Sequence, residues 1–280
     1  MLKPIRKRET THRLELILAL YVDRVSLVVD KTRCLKCDIC STVCPRQAVS
    51  IIAGEPDLDI SIDPRLCVLC EVCSHFCPTG AVRLFYNGQP KTILADHQGL
   101  APFYPPITLD RAKCPEPCPP LAEGDSHWCR TERRLVPNTL TGCPKTCRVC
   151  LTACPRQVVQ LAEAGTHVFP DSQLCLRCTQ CLQTCRTQAI EITPKFIGRV
   201  VIQDQLCPAA CTKCIDLCPV KLIVREGERV FVKTQVCSLC GVCGNICPEG
   251  AITLVREEIV AQPGEFSHAW EEAVARLIRR

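Results

Sequence analysis

The chain has 280 residues, 27 of them cysteine, with 4% aromatics, one methionine, more Pro (22) than Gly (13) and a formal charge of +5. An odd cysteine count in a chain this long, without a signal-peptide pattern, argues against a disulfide-stapled secreted domain and points to reduced thiols in the cytoplasm. The apolar run 14–22 spans nine residues and contains Glu15, far short of the roughly 20 that a membrane helix needs.

In chain order, the basic stretch 3–8 reads as a solvated tail, because no aromatic stacking platform accompanies it as a nucleic-acid site would require. Residues 11–29 are expected to form a helix or strand that covers an apolar face. LVVD (27–30) then leads into a cysteine quartet at 34-37-40-44, and ISID (60–63) into a second at 67-70-73-77. The next complete quartet follows after 65 residues, a stretch whose part 91–142 is rich in Pro and polar residues and carries Cys114, Cys118 and Cys129. Four more quartets stand at 143-147-150-154, 175-178-181-185, 207-211-214-218 and 237-240-243-247, with VVIQ (200–203) and VFVK (230–233) ahead of the last two. Four are C-x2-C-x2-C-x3-C; those opening at Cys143 and Cys207 are C-x3-C-x2-C-x3-C. Pro45, Pro78, Pro155, Pro219 and Pro248 follow five of them, and Arg186 the other. Short turns ending in apolar pairs come next, such as RQAVSI, TGAVRL and EGAITL. A unit of about 30 residues, strand, cysteine loop, short helix and strand, is therefore repeated. Residues 267–280 close the chain as an amphipathic helix. Phe266, Trp270, Val274, Leu277 and Ile278 share its apolar face, which is expected to pack on the chain's own body.

A lone C-x2-C fits zinc, thiol redox chemistry or nothing. Six quartets with common flanks are far more specific. A cubane iron–sulfur cluster takes four thiolates, one per iron. Three cysteines at two-residue spacing wrap it on a tight loop, with backbone N–H groups turned to the sulfurs. The fourth is expected at the start of the short helix, where the proline's fixed φ and missing donor suit the first turn. Arg186 would place a cation beside one fourth ligand and raise that cluster's potential, or simply occupy an exposed turn. No G-x-G-x-x-G ahead of a βαβ unit, P-loop, catalytic triad or H-E-x-x-H occurs. No catalytic residue and no small-molecule substrate are expected.

Over 25–90 and 140–256 the sequence resembles the bacterial-type ferredoxins at each of these positions. The resemblance implies an α+β fold of tandem ferredoxin-like 2[4Fe–4S] modules, with short antiparallel strands, cysteine loops and short helices. It implies six [4Fe–4S] clusters in three crossed pairs. Cys34, Cys37 and Cys40 would join Cys77, and Cys67, Cys70 and Cys73 would join Cys44. Cys143, Cys147 and Cys150 go with Cys185, and Cys175, Cys178 and Cys181 with Cys154. Cys207, Cys211 and Cys214 go with Cys247, and Cys237, Cys240 and Cys243 with Cys218. The long interruption makes the first two units partners, and the alternating x3 variant pairs the rest. The expected organisation is an N-terminal segment with the first module (1–90), a Pro-rich connector (91–142), second and third modules (143–198 and 199–256) and a terminal helix (257–280).

Cys114, Cys118 and Cys129 admit several readings. ITLDRAKC (107–114) and CPEPC echo the other units, as an interrupted half-module would. With His127 the three cysteines would make a zinc set. With His127 or Asp125 they would hold a seventh cluster. They also fit plain thiols in a linker.

Tandem modules without a catalytic domain, and FYNGQPKTIL (85–94) followed by ITLDRAKC, most resemble the polyferredoxin component of formylmethanofuran dehydrogenases, although that family carries more clusters than six quartets supply. The resemblance implies a non-enzymatic subunit relaying single low-potential electrons between redox partner subunits of an anaerobic, cytoplasmic oxidoreductase complex. A polyferredoxin of a hydrogenase, formate dehydrogenase or heterodisulfide reductase system is the alternative, and a stand-alone Fe–S enzyme is the reading of a different class. Neither nucleic acid nor membrane insertion is expected.

Overall fold

Short extended runs with alternating apolar residues pair into two kinds of ladder, an outer strand pair and an inner hairpin. The computed structural model describes residues 5–53, 58–104, 107–110, 112–113, 126–129, 134–137, 153–154, 158, 160–161, 167–168, 175–185, 188–233 and 236–278. In the first module Arg24–Asp30 pairs antiparallel with Val82–Tyr86, and Val49–Ala53 with Leu58–Ile62. In the third, Phe196–Ile202 pairs with Ile252–Ile259, and Ile223–Glu226 with Arg229–Val232. The second repeats the plan with shorter strands, Thr108–Leu109 against Ile190–Glu191 and Gln160–Leu161 against His167–Val168.

Thr108–Leu109, inside the expected connector, pairs with Ile190–Glu191 of the expected second module, so this outer pair spans 108–191. Another part of the connector is a hairpin, Ser126–Cys129 against Arg134–Pro137. A two-residue strand is too short for period-two alternation to announce it. Its turn is nonetheless the one used elsewhere. The Asp30, Asp63 and Asp110 N–H groups donate to Ala81, Ala48 and Ala189 carbonyls at 2.8, 2.8 and 2.7 Å. Each aspartate's Oδ1 accepts the N–H two residues on, from Thr32, Arg65 and Ala112 at 2.9, 2.8 and 3.0 Å, an Asx turn. The strand Ile252–Ile259 completes the outer pair with Phe196–Ile202.

Residues 11–29 form strands, not a helix. Arg13–Ala19 and Arg24–Asp30 lie in a five-stranded antiparallel sheet bordered by Arg6–Glu9 and Gln89–Pro90. Leu14, Leu16, Leu27, Val29, Val82 and Leu84 alternate inward and are 0–2% exposed. The basic residues Arg6, Lys7 and Arg8 sit exposed on the edge strand, where charge discourages further pairing.

The short helices span Ile39–Val43, Val72–Phe76, Gln180–Thr184, Lys213–Leu217 and Val242–Ile246. Each begins one residue before the third cysteine of its quartet and stops at the fourth, which is an extended C-cap. The expectation that the fourth cysteine starts the helix is therefore reversed. A residue before proline is pushed out of the α region, so Cys44, Cys77, Cys218 and Cys247 end their helices. Cys185 adopts the same conformation (φ −74°, ψ 106°) ahead of Arg186, so the loop geometry stops the helix even without proline. Arg186 itself lies outside the described residues.

The terminal helix His268–Ile278 folds back onto the first module. Trp270, Ala273 and Leu277 are buried there, and Trp270 stacks on Phe76 at 5.3 Å beside Phe103 and His75. Ser267 Oγ donates to the Gly99 carbonyl at 2.5 Å, and the Arg276 guanidinium reaches the Cys44 carbonyl. Ala273 joins Trp270 and Leu277 on the inner face, whereas Ile278 stays exposed. Among the described residues, no helix is long and apolar enough to cross a membrane.

The third module also meets the first. Asn245 Nδ2 donates to the Lys36 carbonyl at 2.6 Å. Gly241, at φ +95°, leaves room that a Cβ would fill 3.1 Å from the Cys37 carbonyl and 3.1 Å from Arg256 Nη2.

Two substitutions probe these contacts. Trp270→Ala, by emptying a closed aromatic cluster, is expected to destabilise the fold by about 3–5 kcal/mol, read as loss of far-UV circular dichroism at lower temperature. Gly241→Ala is expected to cost more than Gly227→Ala. Both residues have positive φ, but a Cβ at Gly227 meets nothing within 4 Å; equal melting points for the two variants would contradict the close approach.

Candidate metal centres

Four cysteine loops share one backbone conformation. Lys36 and Asp38, Leu69 and Glu71, Arg177 and Thr179, and Leu239 and Gly241 flank the second cysteine of each loop, and all eight are left-handed. Seven are not glycine, and each such residue costs about 1–2 kcal/mol in this region. The conformation turns successive N–H groups inward. Cys34, Cys67, Cys175 and Cys237 accept backbone N–H bonds from Lys36, Leu69, Arg177 and Leu239. Cys37, Cys70, Cys178 and Cys240 accept them from Ile39, Val72, Gln180 and Val242. Such a concavity of N–H groups favours anionic sulfur.

The x3 loop at Cys207 is built otherwise. Thr212 has φ −117°, and a side chain supplies the donors: Arg225 Nη2 reaches Cys207 Sγ at 3.3 Å and the Pro208 and Cys211 carbonyls at 3.1 and 3.2 Å. The fourth cysteines have their own donor. Ala48, Val158 and Leu222 N–H groups point at Cys44, Cys154 and Cys218 Sγ at 3.2, 3.2 and 3.3 Å. The third residue after the cysteine is left-handed at Gln47, Gly80, Gln188, Lys221 and Gly250, which closes the turn that brings this N–H back.

All 21 described cysteines are unbridged, and their neighbours cross between quartets. Burial pushes the Cys34 thiol up to about 11, and Cys77 adds to the effect. Cys37 is raised further by burial, Cys40 and Cys77. In the second quartet burial takes Cys67 up to about 11, with Cys70 and Cys44 adding to it. Cys70 and Cys73 are also raised by burial and sense Cys44. Thus Cys77 stands with the first loop and Cys44 with the second. Cys178, pushed up to about 12 by burial, has Cys175 and Cys154 beside it. Cys237, also pushed to about 12, Cys240 and Cys243 all face Cys218. Cys214 is raised by burial, Cys207 and Cys211, and Cys247 packs in the same apolar cluster. Cys143, Cys147, Cys150, Cys114 and Cys118 lie outside the described residues, as does Asp125. Cys129 and His127 fall on the hairpin strand Ser126–Cys129, known here by its backbone alone.

This donor set suits a cluster with several metal corners. It offers soft sulfur ligands, inward N–H donors and a dry setting. Among the described residues, no three His, Cys, Asp or Glu side chains converge as a single metal ion would require.

Buried cations complete the surroundings. Lys195, Arg177 and Arg256 are 0%, 1% and 7% exposed. Burial pulls Lys195 down to about 8, while Cys77, Cys178, Cys175 and Cys37 hold it up. Arg256 donates twice to the Leu239 carbonyl, at 3.0 and 2.8 Å, and favours the charged forms of Cys237 and Cys240. Sequence reasoning did not find these residues. Arg177 was visible as a charge inside a quartet; Lys195 and Arg256 carry no local signal.

A family model described as a 4Fe–4S dicluster domain matches residues 27–84. An uncharacterised ferredoxin of Methanocaldococcus jannaschii is 38% identical over 60 residues, 21% of this chain and 97% of the ferredoxin. The polyferredoxin protein MvhB of Methanothermobacter marburgensis is 34% identical over 90 residues, 29% of this chain but 21% of MvhB, so only a small part of that longer protein is matched. Among solved structures, a chain of the formate dehydrogenase–heterodisulfide reductase–formylmethanofuran dehydrogenase complex of Methanospirillum hungatei superposes with a TM-score of 0.69 at 22% identity. The match covers 99% of this chain and 92% of that one, and shows a common fold. With the cysteine loops and their left-handed residues, the match to nearly the whole length of a small ferredoxin places the chain in the family of dicluster 4Fe–4S ferredoxins.

Proposed function

We propose that this chain is a polyferredoxin, an electron-transfer subunit that relays single electrons between redox partner subunits and has no catalytic site of its own. The observation that supports the reading is the nearness of each fourth cysteine to the facing loop: Cys77 beside Cys34 and Cys37, Cys44 beside Cys67 and Cys70, Cys154 beside Cys175 and Cys178, and Cys218 beside Cys237 and Cys240. Two sulfur sets that exchange members lie side by side, as a relay needs. When bound, [4Fe–4S] clusters supply one-electron chemistry at low potential. The ligand sets are the six crossed quartets, including Cys143, Cys147 and Cys150 with Cys185, and Cys207, Cys211 and Cys214 with Cys247. The chain's own groups hold the thiolates, aim N–H donors at them and keep water out.

A formylmethanofuran dehydrogenase-like complex in the cytoplasm is the setting we favour, on the likeness along almost the whole chain to a subunit of the Methanospirillum complex. That complex also contains formate dehydrogenase and heterodisulfide reductase, so a polyferredoxin serving either of those, or a hydrogenase, is the second reading. Co-purification separates them by the partner's metal, a pterin-bound metal against nickel.

The turn at 110–113 also bears on the remaining thiols. In the first module the same Asx turn runs directly into Cys34 and Cys67, and in the sequence Cys114 follows Lys113. Cys114 therefore competes with Cys143 for the first-ligand place of the second module.

Anaerobically prepared chain is expected to carry about 24 iron, four for each of six cubanes. A value near 28 would promote Cys114, Cys118 and Cys129 to ligands of a seventh cluster, and bound zinc would favour the set with His127. A value far below 24 would break the six-cluster reading. Of Cys114→Ser and Cys143→Ser, the variant that loses iron identifies the ligand. Turnover of an organic substrate by the isolated chain would overturn the relay reading.

A further inference from the structure

Lys195 stands at the joint between the second and third modules, after Ile190–Glu191 and directly before Phe196–Ile202. Its side chain enters the first module and is wholly buried. The ammonium donates to the Phe76 carbonyl at 3.1 Å, next to Cys77, and lies 5.1 Å from the centre of the Phe103 ring. One carbonyl and one aromatic face do not compensate a buried charge. The groups that hold its charge up are sulfurs from two different sets, Cys77 and Cys37 of the first module and Cys175 and Cys178 of the second, and the last two respond to Lys195 in return. Arg177 is equally buried and donates to the Thr193 and Phe103 carbonyls at 2.8 and 3.0 Å, but the sulfur that senses its charge, Cys175, belongs to one set only. Arg83 senses Cys77 and Cys154 from a half-buried position, where water screens it more.

We propose that Lys195 is a positioning charge shared by two clusters of different modules, the one held by Cys34, Cys37, Cys40 and Cys77 and the one held by Cys154, Cys175, Cys178 and Cys181, and that it raises both reduction potentials together. The inference rests on the cluster reading above. Reduction adds one electron and so one negative charge to a cluster, and a fixed neighbouring cation favours that form. Passage between the two clusters oxidises one and reduces the other by the same electron, with no bond or proton exchanged. A cation common to both keeps them matched, so the first module's cluster is linked to the second module through Lys195. The same Cys37 end meets the third module's Cys240, which makes this cluster the junction of all three modules.

The test is an EPR-monitored redox titration of the full chain, with iron and sulfide counted, for Lys195→Met, Lys195→Gln and Lys195→Arg. In both neutral variants two midpoint potentials are expected to fall, so that at fixed potential the reduced-to-oxidised ratio drops about tenfold, about 59 mV for a one-electron couple. The other potentials and the iron count should hold, and Lys195→Arg should keep wild-type potentials. Unchanged potentials at full iron in the neutral variants overturn the proposal, as does an equal fall in every cluster. If both neutral variants lose iron, Lys195→Arg decides. Full iron with wild-type potentials there supports a required charge, whereas iron loss there too assigns Lys195 to packing and overturns it. A wild-type iron count far below about 24 would instead sink the underlying cluster reading.

Discussion

A sulfur atom buried in protein resists carrying the negative charge that a metal ligand must have. Burial is the largest cause of the raised thiols throughout these loops, and neighbouring sulfurs add to it. Left as free thiols, such groups stay protonated at neutral pH, and binding metal must release their protons. The rest of the structure compensates that opposition. Left-handed loops aim N–H groups at the first two sulfurs, the post-quartet turn aims another at the fourth, and Lys195, Arg177, Arg225 and Arg256 bring positive charge close to the sulfurs. Strain in seven non-glycine residues is tolerated because it creates these donors.

The same constraint explains what the sequence disclosed. The quartets were legible because ligand spacing is strictly local, and the flanking strands because Leu27, Val29, Ile60 and Ile62 alternate plainly. Cys-Pro suggests a helix start, but the restriction that proline places on its predecessor makes the cysteine a helix end. The second module's first strand was too short to carry a period, although its Asp110 was already in the register of Asp30 and Asp63. Lys195 could not have been found at all. Its hydrogen-bond partner is 119 residues away, and nothing around it in the chain distinguishes it from a surface lysine.

Modules that are alike in sequence are therefore unlike in place. The first touches the third through Asn245 and Gly241, and Lys195, at the joint between the second and third, enters the first.

The terminal helix gives this arrangement a kinetic side. The aromatic wall around Phe76 is finished by Trp270, 194 positions further on, a contact of very high sequence separation. During synthesis the first module would emerge with that wall open, its apolar face uncovered, while four further quartets were still to be made. The wall of the segment made first is finished only once Trp270 has been made.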